Sequence, residues 1–169
     1  MKLKKCRACS SNEFFDLFSL GKLNFTGKFP RSIKVKVPKD YITLVMCKKC
    51  KLVQLDRNFN PEYLYSQDYG YRTGINSTMT RHVKHVAMEA IKLSKIKKND
   101  YVLDIASNDG TLLKFYPKKF ITVGIDPLIN KYIKLYKGIN YKLSNFFTFK
   151  NLKKKKINFK FKVITALSM

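Results

Sequence analysis

Cys6-Arg-Ala-Cys9 and Cys47-Lys-Lys-Cys50 oblige the first fifty residues to close on themselves. Each Cys-x2-Cys pair presents two thiolates on one turn, and two such turns thirty-seven residues apart complete a tetrahedral four-sulfur site. Structural zinc (Zn2+) is the expected occupant, because four cysteines close the ligand count and leave no open catalytic position. The competing accounts are an iron–sulfur cluster, a disulfide pair, which a reducing compartment disfavours, and a redox Cys-x2-Cys, which needs no second copy. Lysines and Arg7 beside the sulfurs offset part of the thiolate charge. A hairpin unit this small has little core of its own, so without metal it is expected to be largely unfolded.

Between the cysteine pairs, Ile33-Lys-Val-Lys-Val37 alternates in period two, Pro38-Lys-Asp40 turns the chain, and Tyr41 to Met46 returns as a second strand into Cys47. Residues 1–60 are therefore expected to form the zinc-binding hairpin domain. Residues 61–100 read as a connector and helix: Asn60-Pro61 suits a helix start, and Tyr65 to Gly74 is rich in tyrosine and turn formers. A longer helix is expected from Asn76 or Ser77, with Met79, Val83, Val86, Ala87, Ala90, Ile91 and Ser94 on one face, ending near Lys97–Asp100. His82 and His85 are three apart on that helix and lack a carboxylate at ligand spacing, so they read as surface histidines.

Beyond residue 100 the periodicity changes. An apolar strand, Tyr101 to Ala106, runs into the polar turn Ser107-Asn-Asp-Gly110, and a helix is expected from Thr111 to 116, with its free N–H groups facing the space over the turn. A second strand, 120–125, ends in Asp126, twenty-two residues after Asp104, where a carboxylate would reach the two hydroxyls of a ribose. A helix at 128–137, a strand at 139–143, a short irregular piece and a strand at 159–166 follow. This β-α-β-α-β succession implies an α/β fold with a parallel sheet over 101–169. The sheet reads as incomplete, the front of a longer doubly wound domain; a complete four-stranded domain is the alternative. The lysines from Lys153 to Lys156 read as a solvated loop.

The formal net charge of +24 raises the question of nucleic acid, but the excess is almost all lysine, with five arginines, and runs from Lys2 to Lys162. Specific recognition calls for arginine forks and a concentrated patch, so the charge reads as a solvated basic surface, with an anionic small substrate as an intermediate possibility. The start of the chain has no apolar run, and no segment approaches the roughly 18 apolar residues of a membrane span, so a cytoplasmic setting without membrane association is expected.

Three cofactor classes could use the turn. A dinucleotide site wants Gly-x-Gly-x-x-Gly, whereas this turn has Ala106 at the first glycine position and only Gly110. A Gly-x4-Gly-Lys loop for triphosphates is missing from the sequence. S-adenosylmethionine has no pyrophosphate and needs polar partners for its amino-acid end, which Asp104, Ser107, Asn108 and Asp109 could supply.

Cys6-Arg-Ala-Cys9, Leu20-Gly-Lys-Leu-Asn-Phe-Thr-Gly-Lys-Phe-Pro30, Cys47-Lys-Lys-Cys-Lys-Leu-Val-Gln-Leu55, Ser77-Thr-Met-Thr-Arg-His82, Asp104-Ile-Ala-Ser-Asn-Asp-Gly-Thr-Leu-Leu113 and Gly124-Ile-Asp-Pro127 occur in that order. Together, over essentially the whole chain, they resemble the class I methyltransferases with an N-terminal zinc-binding domain, a group that includes deoxysugar C-methyltransferases. The resemblance implies a Rossmann-like domain binding S-adenosylmethionine. Asp104, Ala106, Ser107, Asn108, Asp109 and Gly110 would lie at the methionine end, Asp126 at the ribose, and Asn145 and Phe146 by the adenine. It implies a small-molecule substrate such as a nucleotide-linked keto-deoxysugar, deprotonated beside its keto group, with Tyr71 in the segment that presents a tyrosine to the substrate. Ala106 departs from the commoner glycine, and the family's histidine-bearing catalytic segment lies in a half this chain lacks. The reading from another class is a non-catalytic zinc-ribbon module docking on RNA or a protein.

Overall fold

Antiparallel pairing around the cysteines and parallel pairing beyond them fall in two separate units, Met1–Gly70 and Tyr71–Met169. The structure, a computed structural model, describes residues 2–30, 32–65, 68–153 and 160–167. The fold is mixed α/β.

In the first unit, β1 (Phe14–Asn24), β2 (Lys39–Cys47) and β3 (Val53–Leu55) form a sheet in the order β1-β2-β3. The partner of β2 is thus β1, from Phe14↔Cys47 to Asn24↔Lys39, and not the expected strand at 33–37. Those residues instead follow a turn in which Val35 N–H donates to the Ser32 carbonyl, with Ile33 fully exposed. Their alternation comes from lysines at every second position and has no buried face to serve. One side of the sheet carries buried Val45, Cys47 and Gln54; the other carries the rows Phe15-Met46-Val53 and Phe18-Leu44-Leu55. A short helix, α1 (Pro61–Leu64), starts where expected, with Asn60 Oδ1 accepting from Glu62 N–H. It brings Tyr63 against Phe25, which also meets Phe59 edge-on.

The second unit opens with α2 (Ser77–Ser94), capped by Asn76 Oδ1 on Met79 N–H. Four parallel strands follow: β4 (Tyr101–Ile105), β5 (Ile121–Ile125), β6 (Tyr141–Leu143) and β7 (Phe161–Ala166), in the order β6-β5-β4-β7. The chain steps outward from β4 to β6, then returns to the other flank of β4. Residue 159, the expected start of β7, and 154–156 of the lysine run lie outside the described residues; Lys153 ends α3 (Phe149–Lys153), which sequence reading left irregular.

The helices expected at 111–116 and 128–137 are absent as α-helices. Each connection makes one 3-10 turn, at Leu113–Phe115 and Ile133–Tyr136. Fifteen residues separate Ile105 from Ile121, five of them spent in Ala106 and the polar turn after it, and Pro117 stops any helix that starts late. Apolar residues of these turns still fill a core: Leu112, Leu113, Tyr116, Ile129 and Tyr136 pack with Val83 and Ala87 of α2 on one face of the sheet. Leu103, Ile105, Val123, Ile125 and Leu143 pack with Leu152 on the other. Each such side chain, fully buried, contributes about 1.5–3 kcal/mol.

Candidate functional site

The two cysteine pairs close with the same local geometry. Cys6 N–H donates to the Ser11 carbonyl and Ser10 N–H returns to the Cys6 carbonyl; Cys47 N–H donates to the Leu52 carbonyl and Lys51 N–H returns to the Cys47 carbonyl. Ser10 and Lys51 occupy the left-handed region, at φ 60° and 62°. This turns the backbone so that each first cysteine faces the other pair. Cys6 and Cys50 Sγ are 3.6 Å apart, as are Cys9 and Cys47 Sγ, and all four sulfurs lie within 4.8 Å of one another. A tetrahedron of sulfurs at about 2.3 Å from zinc has edges of about 3.8 Å, so the four fit that ion. They are far from disulfide length, and all four cysteines are free.

The electrostatics also call for a cation. The Cys9 backbone N–H, against the opposing effect of burial, brings the Cys6 thiol down to about 6. The Cys50 N–H likewise lowers Cys47. At Cys50 the Leu52 N–H pulls down, but the neighbouring sulfurs prevail and push it up to about 12. Without a cation Cys50 keeps its proton, whereas an ion among the four sulfurs would let all of them ionise.

A second layer, not anticipated from sequence, fixes the sulfurs. Gln54, buried on β3, donates from Nε2 to Cys6 Sγ at 3.2 Å, while its Oε1 accepts from Arg7 N–H and from Arg7 Nη1 at 3.0 Å. Arg7 also reaches the Leu55 and Arg57 carbonyls and Asn58 Oδ1, tying the first cysteine pair to the chain after β3. A glutamine inside the apolar run Leu-Val-Gln-Leu is the signal that could have found it. Gln54→Leu is expected to weaken zinc binding about 10–100-fold in a chelator competition. Gln54→Glu, which keeps the acceptor for Arg7 but sets a carboxylate against the thiolate, should weaken it at least as much. An unchanged affinity in both variants would show the bond to Cys6 to be incidental.

In the second unit, the polar residues singled out by sequence meet at the carboxyl ends of the parallel strands. Ala106, Asn108 and Gly110 all have positive φ, at 56°, 49° and 74°, so the turn coils tightly at the exit of β4. Gly110 suits that conformation, whereas Ala106 is strained in it. Asp104 lies under the turn, its Oδ1 accepting from the Thr165 hydroxyl of β7 at 2.6 Å. Burial pushes its carboxyl up to about 7; Thr165 opposes this and Asp126 adds to it. The Tyr116 hydroxyl is buried and makes no hydrogen bond among the described residues.

Asp126 faces the turn rather than open space: Oδ2 accepts from Asn108 N–H at 2.9 Å and Oδ1 from Leu128 N–H at 2.7 Å. Ser107 Oγ donates to Tyr136 Oη, whose own hydroxyl donates to the Asn108 carbonyl. Asp109 Oδ1 accepts from the Thr111 N–H and hydroxyl. Asp104, Ser107, Asn108, Asp109 and Asp126 are all buried.

A strap, residues 71–74, is stitched onto this turn. Thr73 N–H donates to Asn108 Oδ1, Asn108 Nδ2 donates to the Tyr71 carbonyl, and Gly74 N–H donates to Asp109 Oδ2. A Cβ at Gly74 would sit 2.8 Å from Asp109 Oδ2 and 2.6 Å from Thr111 Oγ1, so only glycine allows this approach. Tyr71 is exposed, its carbonyl held beside the turn. Asn145, exposed, and Phe146, half-buried, follow β6 at the same edge of the sheet; the Phe146 carbonyl accepts from Asn151 Nδ2. His82 and His85 are exposed on α2. A concavity of about 350 Å³ lies elsewhere, among Lys114, Lys118, Lys137, Thr122 and Asn140 near the amino ends of β5 and β6.

The family model Methyltransf_13, described as "Putative zinc binding domain", matches residues 6–65, about a third of the chain. That span contains all four cysteines, and with the sulfur geometry it makes the first unit zinc-binding. A search of curated proteins finds no match. No helix among the described residues is long and apolar enough to cross a membrane.

Proposed function

We propose that the chain binds S-adenosylmethionine as part of a zinc-containing methyltransferase, with C-methylation of a nucleotide-linked keto-deoxysugar, or a similar small molecule, as the reaction served. The observation that carries this reading is the strand order β6-β5-β4-β7, which reverses between β4 and β7, where Asp104 meets Thr165, with Asp126 at the exit of the adjacent β5. Ligands of open, Rossmann-like α/β sheets bind outside the carboxyl ends of the strands at such a switch point. The matched zinc module, whose name associates it with methyltransferases, supports the same reading.

S-adenosylmethionine would supply an electrophilic methyl group on a sulfonium. The chain's own residues bind and orient. Asp126 exchanges one of its backbone partners for ribose hydroxyls, Asp104 and Thr165 form a buried polar floor, and Phe146 offers an apolar wall after β6. The strap carries Tyr71 to the rim of the turn, as the candidate group to take a proton from the substrate. The four cysteines take no part in transfer, since their site is closed.

Calorimetric titration of the folded, zinc-loaded chain with S-adenosylhomocysteine tests the binding step directly. Saturable binding at one site is expected. Silence in such a sample, combined with steeply salt-dependent retention on RNA, would replace this reading with that of a zinc-ribbon docking module.

A further inference from the structure

Arg72 sits in the strap with its donors unused. Among the described residues its guanidinium makes no hydrogen bond: Nε is buried without a partner, and the nearest charge is Asp109 Oδ2 at 3.4 Å. Asp109 cannot leave to meet a ligand, because its side chain is 2% exposed and three of its acceptor positions are taken by Thr111 and Gly74. The Arg72 side chain is 35% exposed. Asp109 therefore sits against the buried Nε, while about a third of the side chain stays open to solvent. Tyr132 lies at the same spot: burial raises its phenol, with Arg72 acting against that shift and Asp109 and Asp126 acting with it.

We infer that Arg72 is the anchor for the carboxylate at the amino-acid end of the nucleoside ligand, an assignment that rests on the methyltransferase reading above. A planar guanidinium fork matches a carboxylate in a bidentate way. Asp109 behind it offsets part of the positive charge, which suits a monoanion better than a phosphate dianion. The place is also apt: the strap crosses the turn at the carboxyl end of β4, beside Asp126, so a ligand with its ribose at Asp126 brings its other end toward Arg72.

The test compares two ligands by calorimetry on the full chain: S-adenosylhomocysteine, and 5′-deoxy-5′-methylthioadenosine, which keeps the nucleoside and sulfur but lacks the amino-acid end. The native chain is expected to bind the first more tightly. Arg72→Gln should lose about tenfold or more in affinity for S-adenosylhomocysteine, the range of a charge-assisted hydrogen bond, and stay within about twofold for the thioether. Arg72→Lys keeps the charge beside Asp109 but not the fork, and should fall between. If Arg72→Gln weakens both ligands equally, or neither, the anchor is wrong although the nucleoside site stands. The same holds if the native chain binds the thioether as tightly as the homocysteine compound. If the folded native chain binds neither, the methyltransferase reading fails and the anchor fails with it.

Discussion

Replacing Cys47 by serine is expected to unfold the cysteine-bearing unit while leaving the parallel sheet of the second unit intact. Cys47 is fully buried, ends β2 opposite Phe14, and supplies both a sulfur and the backbone groups that close the second cysteine turn. Besides Cys6 and Cys47, the buried apolar side chains among the described residues of this unit are Phe25 and Val45. So small a core leaves the unit dependent on the ion, whose binding at a structural site is worth about 10–16 kcal/mol of folding free energy. The native chain should release one equivalent of zinc to a strong chelator and lose its antiparallel β signal as it does so. Cys47→Ser should purify without metal, with the α2 contribution to circular dichroism retained. A variant that keeps a protected β1–β2 ladder in hydrogen exchange without metal would show that the strands, not the ion, hold this unit together.

Those same four cysteines were the most legible part of the chain, because metal geometry fixes their spacing whatever the intervening residues do. The strand between them was not legible. β1 has register shifts between Asp16 and Phe18 and between Ser19 and Lys22, so its apolar residues do not keep period two, and Gly21 at φ 75° lies within the second shift. Alternation at 33–37 looked better and meant less: every second residue is lysine in a lysine-rich chain. In the second unit, α2 could be read because Met79, Val83, Val86, Ala87, Ala90 and Ile91 return on one face, and all of them join the core. β4 and β5 could be read as short β-branched and apolar runs bounded by turn residues, broken only by Asp104 in the first and by Thr122 and Gly124 in the second. The two connecting helices were inferred from the α/β succession and not from periodicity of their own, which is why 3-10 turns could take their place.

The chemistry of the turn was legible in residue type but not in partnership. Asp104, Asn108, Asp109 and Asp126 do gather at one edge of the sheet, yet all four spend oxygens within the protein, on Thr165, Thr73, Gly74, Thr111 and backbone N–H groups. A strap thirty-five residues upstream cannot be seen from the turn's own sequence. Contact decides one of its residues: glycine at 74, because Thr111 and Asp109 leave no room for a Cβ.

Asp104→Asn is expected to stabilise the second unit at pH 8 and to weaken nucleoside binding at the same time. In the folded chain the Asp104 carboxyl titrates near 7, against an ordinary value of 3.8, chiefly because it is buried. As pH rises from about 4 to about 7, the unfolded chain releases a proton that the folded chain retains, so stability falls across that window and is level above it. Three pH units at about 1.4 kcal/mol each make this roughly 4 kcal/mol, the most the substitution can recover. Asparagine keeps the acceptor for the Thr165 hydroxyl and removes the charge. Urea unfolding at pH 8 should therefore show a large gain for Asp104→Asn, and the gain should shrink toward zero by about pH 4. An equal gain at both pH values would assign the effect to packing and not to the proton. A carboxyl raised this far by burial, with Asp126 adding to the shift, is a candidate for ligand contact. If the variant gains stability and still binds S-adenosylhomocysteine as the native chain does, the buried carboxylate has no part in the site.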